Sequence, residues 1–152
     1  MRHPVFAEYM ERNERSEAGR QYCKHDMDHA VDAARVAYIL NLEEGLGFSK
    51  EMVYAAALLH DITKWWQHSE GVPHHESAVE PATGILRDCG FEAGEIEVIC
   101  QAIYHHRDGP PKGEAFSDLL FRADKLSRAC YACGSAADCR WDAGKKNQTL
   151  SY

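Results

Sequence analysis

The sequence predicts an all-α fold, a compact bundle of about five to seven helices, and three observations predict it. Apolar residues recur at helical spacing along most of the chain, glycines and prolines fall singly or in short pairs between these stretches, and no segment alternates with the period of two that a half-buried strand needs. A polar helix is expected over about Val5 to Arg15. The next, Asp28 to Leu42, carries Ala30, Ala33, Ala37 and Leu40 beside Val31, Ala34, Tyr38 and Leu42, and Gly45 and Gly47 end it. Ser49 stands where an N-cap belongs, with Glu51 in the first turn, ahead of an apolar run that His60 and Asp61 close. A loop with Gly71 and Pro73 leads to a helix from about Glu76 to Cys89, where Pro81 falls in the first two turns and Gly90 stops it. Glu95 to Tyr104 places Ile96, Ile99, Cys100 and Ile103 on one face, with His105 and His106 at its end. After Asp108-Gly109-Pro110-Pro111, a last helix from about Ala115 to Ala129 turns Leu119, Leu120, Ala123 and Leu126 inward. No repeat divides the chain, so residues 1–152 are expected to form a single domain, with a motif-bearing core over 25–128 and a tail over 129–152.

Composition narrows the function. With 45% hydrophobic and 27% charged residues the chain has the profile of a folded globule. Its formal net charge of -7, with no run of Lys or Arg, disfavours nucleic acid and anionic membranes, and no apolar stretch is long enough to span a bilayer. With no secretory leader pattern, the expected location is the cytoplasm and the six cysteines read as thiols. A homodimer is compatible with the sequence. Nine histidines stand against 17 Lys plus Arg, and all but His3 lie between His25 and His106.

The chemistry-bearing residues are His29, the pair His60-Asp61, and Asp124, spread over three predicted helices that can converge. Imidazole nitrogens with carboxylate oxygens suit a catalytic divalent metal that keeps open positions for water. Taken alone, His60 at a helix end and Asp61 in a turn are more often plain capping features; the ordered set of four carries the metal reading. Yet the run Tyr54 to Leu59 is apolar, so its continuation is buried, and buried charge needs a partner such as a cation. His25 and His29, four apart, share a face if both are helical, although His25 reads more simply as preceding the helix.

The phrase Leu58-Leu59-His60-Asp61-Ile62-Thr63-Lys64 resembles the signature of the HD-domain metal-dependent phosphohydrolase superfamily, as a small single-domain member. The family pattern of His, His-Asp and Asp falls on His29, His60-Asp61 and Asp124, and the resemblance spans about His25 to Arg128. It implies an all-helical fold and one or two divalent metal ions, with Fe, Mn, Mg, Ni, Co and Zn not distinguished. Multi-metal members imply further ligands here, at His74 and in the pair His105-His106, with the choice between His74 and His75, and between His105 and His106, open because neighbours on a helix point about 100° apart. Thr63 replaces the glycine of the cyclic-dinucleotide branch and Pro110-Pro111-Lys112-Gly113 replaces its Gly-Tyr-Pro element, which disfavours cyclic-dinucleotide hydrolysis.

The expected activity is hydrolysis of a phosphate mono- or diester in a small phosphorylated substrate, with a nucleotide favoured, by attack of a metal-activated water. Asp61 is the expected bridge between two ions about 3.5 to 4 Å apart. Lys64 is the expected phosphate contact, ahead of Arg107 and Arg122, each of which is more often a surface cation. Trp65 and Trp66 beside Lys64 offer stacking for a base, with plain packing the commoner role. Cys130, Cys133 and Cys139 lack a local fourth zinc ligand and read as thiols, and Trp141 to Tyr152 is polar enough to be an arm over the site or a partner subunit. Two rival readings use the same residues: a non-catalytic metal- or nucleotide-binding regulatory module, and a di-iron oxygenase on the same scaffold.

Overall fold

The structure, a computed structural model, describes residues 2–152. Its α-helices are α1 (Pro4–Ser16), α2 (Met27–Glu43), α3 (Lys50–Leu59), α4 (Lys64–Glu70), α5 (His74–Ser77), α6 (Val79–Asp88), α7 (Ala93–His105) and α8 (Ala115–Leu126), followed by 3-10 turns at Cys130–Ala132 and Ala143–Lys145. Among the described residues there is no strand, and the expected all-α bundle is the fold.

Local chemistry sets the helix ends. The Asp26 carboxylate accepts from the His29 amide at 3.1 Å and starts α2 one residue before the expected boundary; Ser49 accepts from Met52 at 3.2 Å and starts α3 where the sequence puts it. Glu92 and Glu95 form a reciprocal capping box on α7. Two differences from expectation bear on the site. The stretch after Asp61 forms α4, stopped by Gly71 at a φ of 73°. The helix expected from Glu76 to Cys89 is split at Ala78 into α5 and α6, because Pro81 has no amide to donate to the Ser77 carbonyl. The split lets α5 aim its histidines independently of α6.

The core is formed by α2 packed on α3 and α8, α7 on α8, and α6 on α7, while α1 lies along α4. At the crossings sit Ala33, Ala34, Ala57, Ala102 and Ala123, all fully buried. Their small side chains let the helix axes approach closely, so that side chains one turn further along reach a common point. Leu42, expected to face inward, is 62% exposed; Asn41 is buried in its place and holds the connection to α3 by bonding the amide and carbonyl of Phe48 at 3.1 and 3.0 Å. No helix among the described residues is long and apolar enough to cross a membrane.

Candidate metal centre

His29 in the first turn of α2, His60 at the C-terminal cap of α3, Asp61 after it, and Asp124 in the last turn of α8 bring their ligand atoms within 4.8 Å of one another. The His60 Nε2 lies 2.9 Å from Asp61 Oδ2 and 3.8 Å from Asp124 Oδ1, and His29 Nε2 lies 3.6 and 3.3 Å from the same two oxygens. A second group, Asp61, His74 and His106, converges on the other oxygen: His74 and His106 Nε2 lie 3.0 and 3.6 Å from Asp61 Oδ1 and 3.0 Å from each other. Asp61 therefore faces one group with each carboxylate oxygen.

Backbone and side-chain partners fix which ring nitrogen looks inward. His60 Nδ1 sits 2.7 Å from the Ala57 carbonyl, His106 Nδ1 2.6 Å from the Ile103 carbonyl, and His74 Nδ1 2.5 Å from Gln67 Oε1, so each donates outward and turns its Nε2 to the centre. The Nε2 atoms of His74 and His106 thus face each other across 3.0 Å beside the Asp61 carboxylate. Among the described residues the buried Nε2 atoms of His29 and His60 have no hydrogen-bond partner. Such a donor set fits a divalent cation, for which nitrogen and carboxylate oxygen are the customary ligands.

Charge balance points the same way. Burial would push the Asp61 and Asp124 carboxyls up, but His60 and His25 hold Asp61, and His29, His60 and Arg128 hold Asp124, well below the usual carboxylate range. Conversely, burial opposes a charge on His60, yet Asp61 and Asp124 raise its pKa to about 10. His29 is raised by the same carboxylates against burial. Two buried carboxylates demand positive charge at this point, and a proton on the imidazoles or a cation between them answers it. His74, lowered by burial to about 4 despite Asp61, stays neutral and ready to ligate.

The doublets left open by sequence are resolved by geometry. His74 faces the centre, while His75 turns to Glu76 and Asp108 at 3.7 and 3.8 Å. His106 faces the centre; His105, named with it as a candidate ligand, stands against Tyr104 and joins neither group, because one residue of helix rotates it away. Lys64 begins α4 with its Nζ 3.3 Å from His74 Nδ1 at the edge of the centre. Arg107 lines the same pocket, whereas Arg122 is tied to Glu44 and Asp118 at 2.7 Å each on another face. Trp65 and Trp66 stack on each other, with Arg12 over Trp65, and neither lines the pocket. Among the described residues no cysteine joins a group with ligand atoms this close.

Sequence reasoning missed a supporting ring. Glu17, 3% exposed, accepts from the amide and Nδ1 of His25 at 2.7 Å each and from His68 at 3.0 Å, which turns His25 Nε2 towards Asp61 at 4.0 Å. Asn13 bonds the Asp61 carbonyl at 2.9 Å and accepts from the Trp65 amide at 2.8 Å. Arg20, Lys125 and Arg128 complete the wall of a pocket of about 340 Å³ over the centre, together with Trp141, the first residue of the stretch expected as an arm over the site. These contacts are non-local and carry no motif; only the buried polar character of such positions signals them.

Comparison with known proteins agrees with this construction. The family model of the HD domain matches residues 26–129. An uncharacterized protein of Clostridium beijerinckii is 46% identical over 95% of this chain and 90% of its own length. Ribonuclease Y of Lactobacillus gasseri is 28% identical over 71% of this chain, and that of Chloroflexus aurantiacus 32% over 76%, but the chain spans only 18% and 20% of those proteins. Among solved structures, a predicted HD superfamily hydrolase from an uncultured Thermotogales bacterium shares the fold with a TM-score of 0.66 at 24% identity, covering 95% of this chain and 83% of that one. From its matched segment and its 46% identical relative, the chain belongs to the HD domain family.

Proposed function

We propose that the chain is a metal-dependent phosphohydrolase acting on a small phosphate ester. The observation that carries this reading is the sharing of Asp61: its two oxygens face two separate ligand groups, His29, His60 and Asp124 on one side and His74 and His106 on the other. A divalent metal held there lowers the pKa of a bound water towards about 7 and draws charge from phosphoryl oxygens. The remaining work falls to the chain's own residues. Lys64 and Arg107 stand at the pocket edge to bind and orient phosphate oxygens, and Gln67 keeps the His74 ring in register. Among the described residues the pocket wall has no Ser, Thr, Tyr or Cys, so no hydroxyl or thiol competes with water as the nucleophile. The Glu17-His25 pair holds an imidazole edge 4.0 Å from Asp61 Oδ2.

The ribonuclease Y relatives bring an RNA phosphodiester into the same reaction class. A net charge of -7 and a pocket of about 340 Å³ favour a small ester over a polymer. The test is metal analysis of the purified protein combined with a panel of phosphate mono- and diesters assayed with manganese or magnesium. Turnover that chelation removes supports the reading; stoichiometric metal with no turnover of any ester overturns it in favour of a binding module.

A further inference from the structure

The pocket over the metal centre is not completed by the family segment. Its wall includes Trp141, which lies beyond residue 129 where the HD domain match ends. The tail that carries it is fastened to the body. Asn147 donates to the carbonyls of Lys125, Leu126 and Arg128 at 2.9, 3.1 and 2.8 Å, satisfying the open end of α8, and Lys146 bonds the Ala136 carbonyl at 2.7 Å. On the other side, Tyr22 bonds the Asp138 carbonyl and Ser135 the Gln21 carbonyl, each at 3.2 Å. Between these fastenings Trp141 is half-buried, and the Arg128 guanidinium lies 4.7 Å from its ring centroid. Arg128 in turn bonds Asp124 Oδ1 at 3.0 Å, so the indole is locked to a residue of the metal centre through one intervening side chain.

The chemistry of the wall is divided. Five cations, Arg20, Lys64, Arg107, Lys125 and Arg128, line it against two carboxylates, Asp61 and Asp124, in a protein of net charge -7. Lys64 lies 3.3 Å from His74 Nδ1 and, among the described residues, forms no ion pair with a carboxylate. That end suits a multiply charged phosphate. Beside it, Trp141 is the one Phe, Tyr or Trp side chain of the wall among the described residues, and Trp65 and Trp66 are spent on each other. An indole face beside a cationic pocket recognises a flat ring attached to a phosphate.

We propose that Trp141 is a specificity-determining residue: it receives a planar ring of the substrate, so that the preferred substrate is a phosphate monoester of a small molecule carrying an aromatic base, of mononucleotide size. The placement of the phosphate end rests on the hydrolytic reading above. The placement of the ring does not.

Adenosine monophosphate and ribose 5-phosphate share the phosphate and sugar and differ in the base. On the metal-loaded protein, kcat/KM is measured for both, and equilibrium binding is measured for their methylene phosphonate analogues, whose P–C bond is not hydrolysed. The wild-type protein is expected to prefer the base-bearing member of each pair by about tenfold or more, Trp141→Ala to bring that ratio close to one, and Trp141→Phe to keep part of it. Trp66→Phe, altered in the distant aromatic stack, keeps the wild-type ratio. Circular dichroism checks that each variant is folded, and since the readout is a ratio, a general loss of active protein does not move it. A wild-type ratio near one, or an undiminished ratio in Trp141→Ala, overturns the proposal. A base preference in binding without turnover of either ester leaves Trp141 in its role and removes the hydrolytic reading instead.

Discussion

At the scale of single residues, Asp61 has the most demanding position. Its side chain is nearly buried, faces four imidazoles within 3.6 Å, and is held in the ionised form by them. Its backbone carbonyl, by contrast, is held by Asn13 independently of the carboxylate. Asp61→Ala is therefore expected to remove both metal retention and at least about 100-fold of activity while leaving helical content unchanged, since a lost ligand costs more than the 10–100-fold typical of outlying partners. Metal analysis and far-ultraviolet circular dichroism on one sample check this, and full activity in the variant refutes the assigned role. Glu17 gives a pH prediction. Burial alone would raise its pKa, but hydrogen bonds and charge from His25, with help from His68, bring it from 4.5 to about 2. A depressed carboxyl stabilises the fold above its unfolded pKa and loses that contribution as pH falls from about 4.5 towards 2. Glu17→Gln should accordingly be less stable than wild type at neutral pH and lose less stability on acidification, in denaturant titrations at about pH 7 and pH 3.5. Equal acid sensitivity of the two proteins would show that Glu17 does not carry this linkage.

At the scale of elements, the site is made by helix ends. His29 opens α2, His60 caps α3, His106 caps α7 and Asp124 closes α8, and these termini meet because alanines at the crossings keep the axes close. Much of this was legible in the sequence. The His29, His60-Asp61 and Asp124 set is an ordered pattern, and the Ser49 cap and the apolar period of α3 are local signals that the chain obeys. Less legible were features set by distant parts. Nothing around residue 105 says whether it or His106 faces inward, since that is decided by the angle at which α7 meets α5 and α8. Helix α4 leaves no periodic signal in the sequence, because only seven residues separate Thr63 from Gly71. Asn13 shows the limit well. In sequence it is one polar residue in a polar helix; in the fold it is 1% exposed and ties α1 both to the Asp61 carbonyl and to the start of α4. Asn13→Ala leaves a buried carbonyl and a buried amide unpaired, and is expected to cost about 2 to 4 kcal/mol of stability. Chemical denaturation checks the value, and a loss below about 0.5 kcal/mol, the range of ordinary surface changes, would mean that water replaces the asparagine at no cost.

At the scale of the whole molecule, an acidic chain concentrates cations at one pocket and two carboxylates beneath them, so the centre couples folding, protons and metal. The coupling has a definite sign. In chelated protein, the raised pKa of His60, about 10 against an ordinary 6.5, means that its protonated form stabilises the fold. That contribution is complete below about pH 6.5 and disappears as pH climbs towards about 10. The metal-loaded protein behaves oppositely, because protons and metal compete for the same imidazole nitrogens and a less protonated site binds the ion more tightly. A ligand that binds only the folded chain raises stability with the logarithm of its concentration over its dissociation constant. The difference in Tm between metal-loaded and chelated protein should therefore widen steadily between about pH 6 and pH 9, and the slope should shrink in His60→Ala, which removes the group that exchanges proton for ion. Thermal unfolding across that range, with and without chelator, gives the difference directly. If the gap stays constant or narrows with rising pH, His60 does not trade its proton for a metal ion, and the pairing of this imidazole with Asp61 and Asp124 serves the fold alone.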